Sequence, residues 1–579
     1  MERRRSLTLG AACLTFCLFC AFFVLAGSRD ATAAPGSGDA SVSSAGAKRQ
    51  VILLGLRRRG KPQVFAAQVS NPGSPQYRKF LTPAQYRKRF SATAADQRAV
   101  TRFLTRRRGV LSLRLNPSRT AALAIVKSKA AARLFCVNSN KPLPARGLCR
   151  PKPLRRAVRQ VSAGEVFQPS KKKAAGSAPA VRSKNTGTPK GCSAGTKAGT
   201  FAPNQMSTAY GADALGSRGL DGSGIRVVTL SSQEIDTSAF KTWADCFGLP
   251  TPKVRQFAMP GPNAGTAPEE TYLDVEALAT LAPDLERITP IYVPLDQGFS
   301  NSFLLFMFGA LDPSKQGGQL PDILSISDGV CEDRYTKAEL QLGQRQLAEA
   351  AALGITTLAA VGDLGFRACF TSAKGTDFPA SSRFVTGVGG TELFLNEDNS
   401  IRDQVVWSTF GTGSDESVGT GGGASPNWPR PAFQVATGIT PQIQTGKPSR
   451  LTPDIASMAS FTPGIATYQP SGWGLGGGNS TATPLTAGIV ARVLQQEAKA
   501  GRAPLGSLNP LLYQLAGTPA YDSIFYDIVK GTSSTKPKSP AARTPAGGAA
   551  QPGYDLATGL GTLKATAFAE AVAALPTSR

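Results

Sequence analysis

The chemistry available to this chain lies in one serine and a few acids. Ser480 stands in GGGNSTATPLTAG, a glycine-rich turn running into a helical pattern. A serine hydroxyl is a weak nucleophile and needs a base within hydrogen-bond reach, usually an imidazole. The 579 residues contain no histidine, so composition alone excludes a Ser-His-Asp triad. The segment APEETYLDVEALATLAP offers carboxylates instead. Glu270 and Asp274 stand four apart with helical apolar spacing, which puts both on one face of a helix. A third acid, Asp363, follows the buried-strand pattern GITTLAAV and is flanked by Gly362 and Gly365. A carboxylate acts as a base only where it is ionised, while neighbouring acids need a proton, so the set points to acidic pH.

Taken singly, each feature is ordinary. Two acids four apart usually decorate a solvated helix face, a glycine-rich turn with serine is often only a helix cap, and GDLG alone is a strand-to-loop turn. Their joint occurrence, in one chain without a competing histidine, makes a site. Together these residues resemble the sedolisin family of serine-carboxyl peptidases. That family's nucleophile signature, Gly-Thr-Ser followed by three residues and Pro, is filled by Gly478, Asn479, Ser480 and Pro484, with Asn479 in place of threonine. Its Glu and Asp correspond to Glu270 and Asp274, with Ala282 and Pro283 following. Its oxyanion aspartate corresponds to Asp363. The resemblance implies Ser480 as nucleophile, Glu270 as base, Asp274 as its orienting partner and protonated Asp363 as oxyanion donor. An ionised Asp363 would repel the developing charge, so this role requires the neutral acid.

The same resemblance extends over PDILSISDGV, ending in Ser327, Asp328 and Gly329, and over Phe378 to Thr391 and Thr420 to Pro429. Asp328 departs from the family, which carries an aromatic residue before that glycine, and leaves the shape and charge of the specificity pocket open. Near the end of the chain, YDIVKG and QPGYDLATGLG are similar to the two halves of the family's calcium site. One structural Ca2+ is expected there, with side-chain oxygens from Asp527 and Asp555 and carbonyls from Ile528, Gln551 and Gly553, a hard-oxygen set that suits this ion. Taken alone, either aspartate reads as an Asx-turn.

Positioning such a site takes a large core. The 379 residues from 201 onward alternate apolar strands with helical patterns, which reads as α/β with a parallel sheet. The resemblance narrows this to a subtilisin-like, doubly wound, mostly parallel sheet spanning residues 201–579. Residues 48–167, with strand-like VILLGL and a helical pattern around ATAADQRAVTRFLTRR, form a second unit. Through Pro72, Ser74, Pro75 and Tyr77 it resembles the activation prodomain of sedolisin precursors, which implies a smaller α/β domain with an antiparallel sheet. That domain is expected to act as an intramolecular inhibitor. Residues 168–200 are a basic linker of low apolar content, where maturation cleavage is expected.

The first 33 residues have a basic start, an apolar run and the small residues Ala31-Thr32-Ala33, which fits a cleaved signal peptide followed by a linker at 34–47. An uncleaved anchor is the alternative reading, since the run approaches spanning length. Export predicts disulfides among the six cysteines outside that segment, which allow fifteen pairings. Pairing within units gives Cys136 with Cys149, Cys192 with Cys246, and Cys331 with Cys369.

Charge divides sharply. Residues 1–200 carry 39 Lys and Arg against 5 Asp and Glu, whereas the rest carry 26 against 33. A basic front without interleaved aromatics or a recognisable module argues against nucleic-acid binding. Complementary charge between the two units explains it better, steering docking and weakening as acid protonates the acidic side. The function expected is a secreted, monomeric, acid-acting peptidase made as an inhibited precursor and acting on polypeptides, with no nucleic-acid or stable membrane partner. An inactive exported binding protein of the same fold is the alternative. Endopeptidase and tripeptidyl-peptidase action are left open.

Overall fold

A computed structural model describes residues 49–137, 148–164, 186–197, 199–260, 268–293, 299–365, 376–409, 418–435, 448–533 and 548–575. The expected signal peptide, most of the basic linker, the loop before residue 548 and Cys369 lie outside the described residues. Among the described residues no helix is long and apolar enough to cross a membrane.

The front unit is a four-stranded antiparallel sheet of β1 (Arg49–Leu56), β2 (Val110–Leu115), β3 (Ala121–Lys127) and β4 (Val158–Gly164), in the order β2-β3-β1-β4. Strand β1 explains why VILLGL is apolar at every position. Ile52, Leu54 and Leu56 enter the unit's own core with Val100, Leu104 and Phe135. Val51 and Leu53, on the opposite face, join a core that continues into the second unit.

The second unit is built on a ten-stranded sheet. Its strands are β5 (Arg226–Ser231), β6 (Phe257–Ala258), β7 (Arg287–Tyr292), β8 (Ile323–Ile326), β10 (Thr356–Ala360), β12 (Thr386–Leu395), β13 (Ile401–Val406), β16 (Ile455–Met458), β19 (Phe525–Tyr526) and β20 (Thr562–Leu563). Short pairs complete the set: β9 (Val330–Cys331) with β11 (Asp377–Phe378), β14 (Gly423–Pro429) with β15 (Ser449–Thr452), and β17 (Ile465–Gln469) with β18 (Gly472–Gly476). The order is β19-β20-β16-β12-β10-β8-β5-β7-β6, parallel except where β19 meets β20 and where β13 joins β12. Both faces are covered, as a parallel sheet requires. Along β5, Val227 points to the face holding the Glu269–Leu281 and Asn479–Lys499 helices, while Val228 and Leu230 point to the face holding the Lys337–Ala352 helix. The doubly wound architecture expected from the alternating pattern is therefore present, and so is the smaller antiparallel domain.

Cys136–Cys149 and Cys192–Cys246 are bonded as expected. Cys331 also takes part in a disulfide.

The front unit sits on the Lys337–Ala352 helix through buried charge. Arg58 Nη2 lies 3.2 Å from Glu349 Oε2, and Thr120 Oγ1 donates to the same oxygen at 2.9 Å. Arg78 Nη1 lies 2.6 Å from Glu497 Oε2, and Ser162 Oγ donates to Glu339 Oε1 at 2.8 Å. Glu339 also closes the capping box that starts this helix, accepting from Thr336 N–H at 2.9 Å.

Candidate active site

Parallel strands end on one edge of the sheet, where the loops that follow them and the starts of the next helices converge. The site is built there from four places in the sequence. The Glu269–Leu281 helix supplies Glu270 in its first turn and Asp274 one turn on. The loop after β8 supplies Ser327 and Asp328, the loop after β10 supplies Asp363, and the start of the Asn479–Lys499 helix supplies Ser480. The helix carrying the two acids is buried from Thr271 to Leu281, so it has no solvated face. Asp274 is completely buried and Glu270 half-buried.

Ser480 stands beside Glu270, near enough for its hydroxyl to favour the charged carboxylate. Glu270 Oε1 is shut away from solvent without a partner, as is Asp274 Oδ2. Asp274 Oδ1 accepts from Ser327 Oγ. Ser327 Oγ also lies 3.3 Å from the carbonyl oxygen of Ser480. Pro484 explains why that carbonyl is available: proline has no N–H, so Ser480 loses the helical donor that would come from four residues on. The four-residue spacing from Ser480 to Pro484 is thus one helical hydrogen bond removed, which leaves the carbonyl to Ser327 and ties the nucleophile's backbone to the Asp274 side chain.

Asp363 faces Ser480 from the other side. Its Oδ1 accepts from the Asn479 N–H at 2.8 Å, and Asn479 Nδ2 donates to Gly362 O at 2.6 Å. Asn479, the departure from the family signature, therefore clamps the Asp363 turn onto the start of the helix. Gly478 makes this approach possible: its φ is +77°, and a Cβ there would stand 2.4 Å from Asp363 Oδ2.

The electrostatics are those of crowded acids in low dielectric. Burial, and then the charge of Asp328, push the Glu270 carboxyl up to about 8. Burial and Glu270 hold Asp274 well above the carboxylate range. Burial raises Asp363 to about 6 against the opposing Asn479 N–H, and burial together with Asp363 raises Asp328 to about 6.

Three members of this site escaped the sequence reading in the roles they take. Ser327 was a strand end and proves to be the link between Asp274 and Ser480. Asp328 acts on Glu270 through space. Asp377, in β11, is buried beside Gly362, its Oδ1 unpartnered and its carboxyl pushed well up by burial and Asp363.

The candidate calcium residues also come together. Asp527 Oδ2 accepts from Gly553 N–H at 2.8 Å, while its buried Oδ1 has no partner. Asp555 is held by its own loop, with Oδ1 accepting from the N–H groups of Ala557 and Thr558 at 2.7 and 2.8 Å, and Oδ2 facing Gln551 N–H at 3.3 Å. Burial raises both acids, Asp555 to about 6. The orphaned, buried Asp527 Oδ1 fits a hard cation, whereas both Asp555 oxygens already accept from N–H groups and the Thr558 hydroxyl. Among the described residues no group of three or more His, Cys, Asp or Glu could hold a metal, so carbonyls must complete any such shell.

Comparison with known proteins agrees with this geometry. Residues 43–138 match the pro-kumamolisin activation domain. Kumamolisin of Bacillus sp. (strain MN-32) is 32% identical over 363 residues, 59% of this chain and 59% of its own length. Human tripeptidyl-peptidase 1 is 32% identical over 215 residues, 35% of this chain and 36% of its own length. The chain thus spans less than two thirds of these relatives. Pseudomonas sedolisin, a serine-carboxyl proteinase, shares the fold with a TM-score of 0.54 at 21% identity, over 67% of this chain and 99% of its own. The front of the chain thus matches an activation-domain family, and the unit behind it shares the sedolisin fold and is similar in sequence to kumamolisin.

Proposed function

We propose that this chain is the exported precursor of an acid-acting serine-carboxyl peptidase. Ser480 Oγ attacks the scissile carbonyl while Glu270 takes its proton and passes it to the leaving amine as the C–N bond breaks. Glu270 then takes a proton from the water that attacks the acyl-enzyme and returns it to Ser480 Oγ as the acid product leaves. Asp274 orients Glu270 and is itself held by Ser327. Neutral Asp363 donates to the developing oxyanion, an arrangement that contributes ~10²–10³ in rate for one such donor. The observation that carries the reading is the gathering of Ser480 with Glu270, Asp274 and Asp363 in a chain without histidine.

The raised carboxyls explain why acid suits the site. Below about pH 6 Asp328 and Asp363 become neutral, which supplies the oxyanion donor and relieves the repulsion acting on Glu270. The Ser480 hydroxyl beside it favours the charged form of Glu270, but with a carboxyl at about 8 most of Glu270 is protonated in acid, so the base is the minor ionised fraction of a cluster that titrates as a unit. The front domain is the inhibitor, held through the buried Arg58–Glu349 and Arg78–Glu497 pairs. Asp527, Asp555 and the carbonyls of Ile528, Gln551 and Gly553 would hold one Ca2+, which would brace the end of the chain against the sheet.

Peptide hydrolysis by acid-matured protein across pH 3 to 8, beside a Ser480→Ala variant, tests the reading. Activity that peaks in acid and vanishes in the variant is expected. A cleanly matured protein without activity at any pH would mean an inactive binding protein of this family.

A further inference from the structure

Away from Ser480, the front and catalytic units together line a cleft of ≈ 430 Å³. The catalytic unit contributes Arg383, Phe384, Pro431, Phe433 and Ser507, and the front unit contributes Ser70. Arg383 is half-buried, with neither an acid nor a hydrogen-bond acceptor among the described residues. The hydroxyls of Ser70 and Ser507 are buried and unpartnered, the two residues being only 1% and 2% exposed. They are close in space: a Cβ on Gly506 would lie 3.3 Å from Ser70 Oγ.

The two unsatisfied buried hydroxyls carry a cost that a ligand would offset, and Arg383 adds a cation with no acid beside it among the described residues. The cation calls for an anion, and its fork matches the two oxygens of a carboxylate. The remaining walls, Phe384, Pro431 and Phe433, are apolar, which favours an organic body over an inorganic oxyanion. The volume lies in the range of small-molecule sites.

We infer that this cleft binds a small organic carboxylate, its carboxyl on Arg383 and the Ser70 and Ser507 hydroxyls and its apolar body against Phe384 and Phe433. Burial and the nearby Arg450 both work against the charge on Arg383, so an anion there is doubly favoured. Because Ser70 belongs to the front unit, the ligand bridges both units. By linkage, an anion that binds the docked form more tightly than the separated form holds the two together. This proposal does not depend on the catalytic reading.

The test uses the full-length chain carrying Ser480→Ala, so that no processing intervenes, with 3-phenylpropionate as probe and thermal unfolding as readout. A saturable rise in Tm is expected, absent with 3-phenylpropanamide and weaker with inorganic phosphate. Arg383→Gln should weaken the apparent affinity about tenfold or more, as loss of a charge-assisted pair does. Arg383→Lys, which keeps the charge and loses the fork, should be intermediate. Ser507→Ala and Ser70→Ala should each weaken binding a few-fold. No saturable shift, or an equal shift with the amide or in both Arg383 variants, would overturn the carboxylate site. Phosphate binding as tightly as the probe would overturn its organic character, and an unaltered affinity in Ser70→Ala would overturn the bridging. Should Arg383→Gln fail to fold, the Lys and Ser variants decide the outcome.

Discussion

The molecule buries acids in two places and treats them in opposite ways. At the seam between the units, Glu349 and Glu497 meet Arg58 and Arg78, and hydroxyl donors fill further lone pairs. In the cleft, Glu270, Asp274, Asp328 and Asp363 gather around Ser480, and among the described residues the groups that meet them are hydroxyls and backbone N–H groups. Buried charge is tolerated when paired, whereas an unpaired buried acid takes up a proton instead. The seam therefore suits the ionised state and the cleft the protonated one. A fall in pH prepares the second, and a protein without histidine can respond to pH in this way.

The strongest way to break the contrast is inside the cleft. Asp363→Ala should lower kcat by ~10²–10³ with the nucleophile and base in place, as steady-state peptide hydrolysis would show. Equivalent turnover in that variant would remove the oxyanion role.

At the seam, Arg58→Ala leaves Glu349 buried without its cation. It should weaken docking by ~3 kcal/mol, read as accelerated limited proteolysis of a Ser480→Ala precursor at neutral pH. Arg78→Ala should cost less, because Glu497 keeps Arg502, whose Nε lies 2.8 Å away. Identical effects from the two variants would show that the seam does not rest on these pairs.

The cleft acids also predict the sign of the pH dependence of stability. Their folded-state values are raised, so the folded protein binds protons more tightly than the unfolded chain. The stability they contribute is complete below the ordinary carboxylate range and is lost as pH rises through about 6 for Asp328 and Asp363 and about 8 for Glu270. The matured protein should accordingly melt higher at pH 4.5 than at pH 7.5, and Asp328→Asn should flatten that slope. The same substitution removes a like charge beside Glu270, so the acidic limb of the kcat/KM profile should move to lower pH. A slope of opposite sign would mean that cations reach the cleft.

The smallest effect is expected from Pro484→Ala. An alanine restores the donor to the Ser480 carbonyl, which then competes with Ser327. A loss in kcat of a few-fold with little change in KM would place the proline in the positioning of the nucleophile, whereas a change in KM alone would not.

Much of this was legible in the residues. Strand β1, the strand before Asp363 and the helix bearing Glu270 and Asp274 announce themselves by local apolar pattern, and spacing puts the two acids on one face, while only the family resemblance suggests a role for them. What the chain does not announce depends on spatial neighbours. Ser327 reaches Asp274 and Ser480 only because β8 lies between β5 and β10 in the sheet. Asp377 comes beneath Asp363 only because β11 pairs with β9. Arg58 finds Glu349 only once the front unit has docked. No periodicity records such meetings, since each joins segments far apart in sequence.

Strand β1 carries one last consequence. With Val51 and Leu53 facing the neighbouring unit and Ile52, Leu54 and Leu56 facing its own helices, it is a shared wall between two cores. A front domain cut away and pulled off takes into water an apolar strip that was never built to meet it, and leaves a matching scar on the Lys337–Ala352 helix. Separation of the two units would therefore be hard to reverse, since the uncovered apolar strip favours proteolysis and aggregation over docking again.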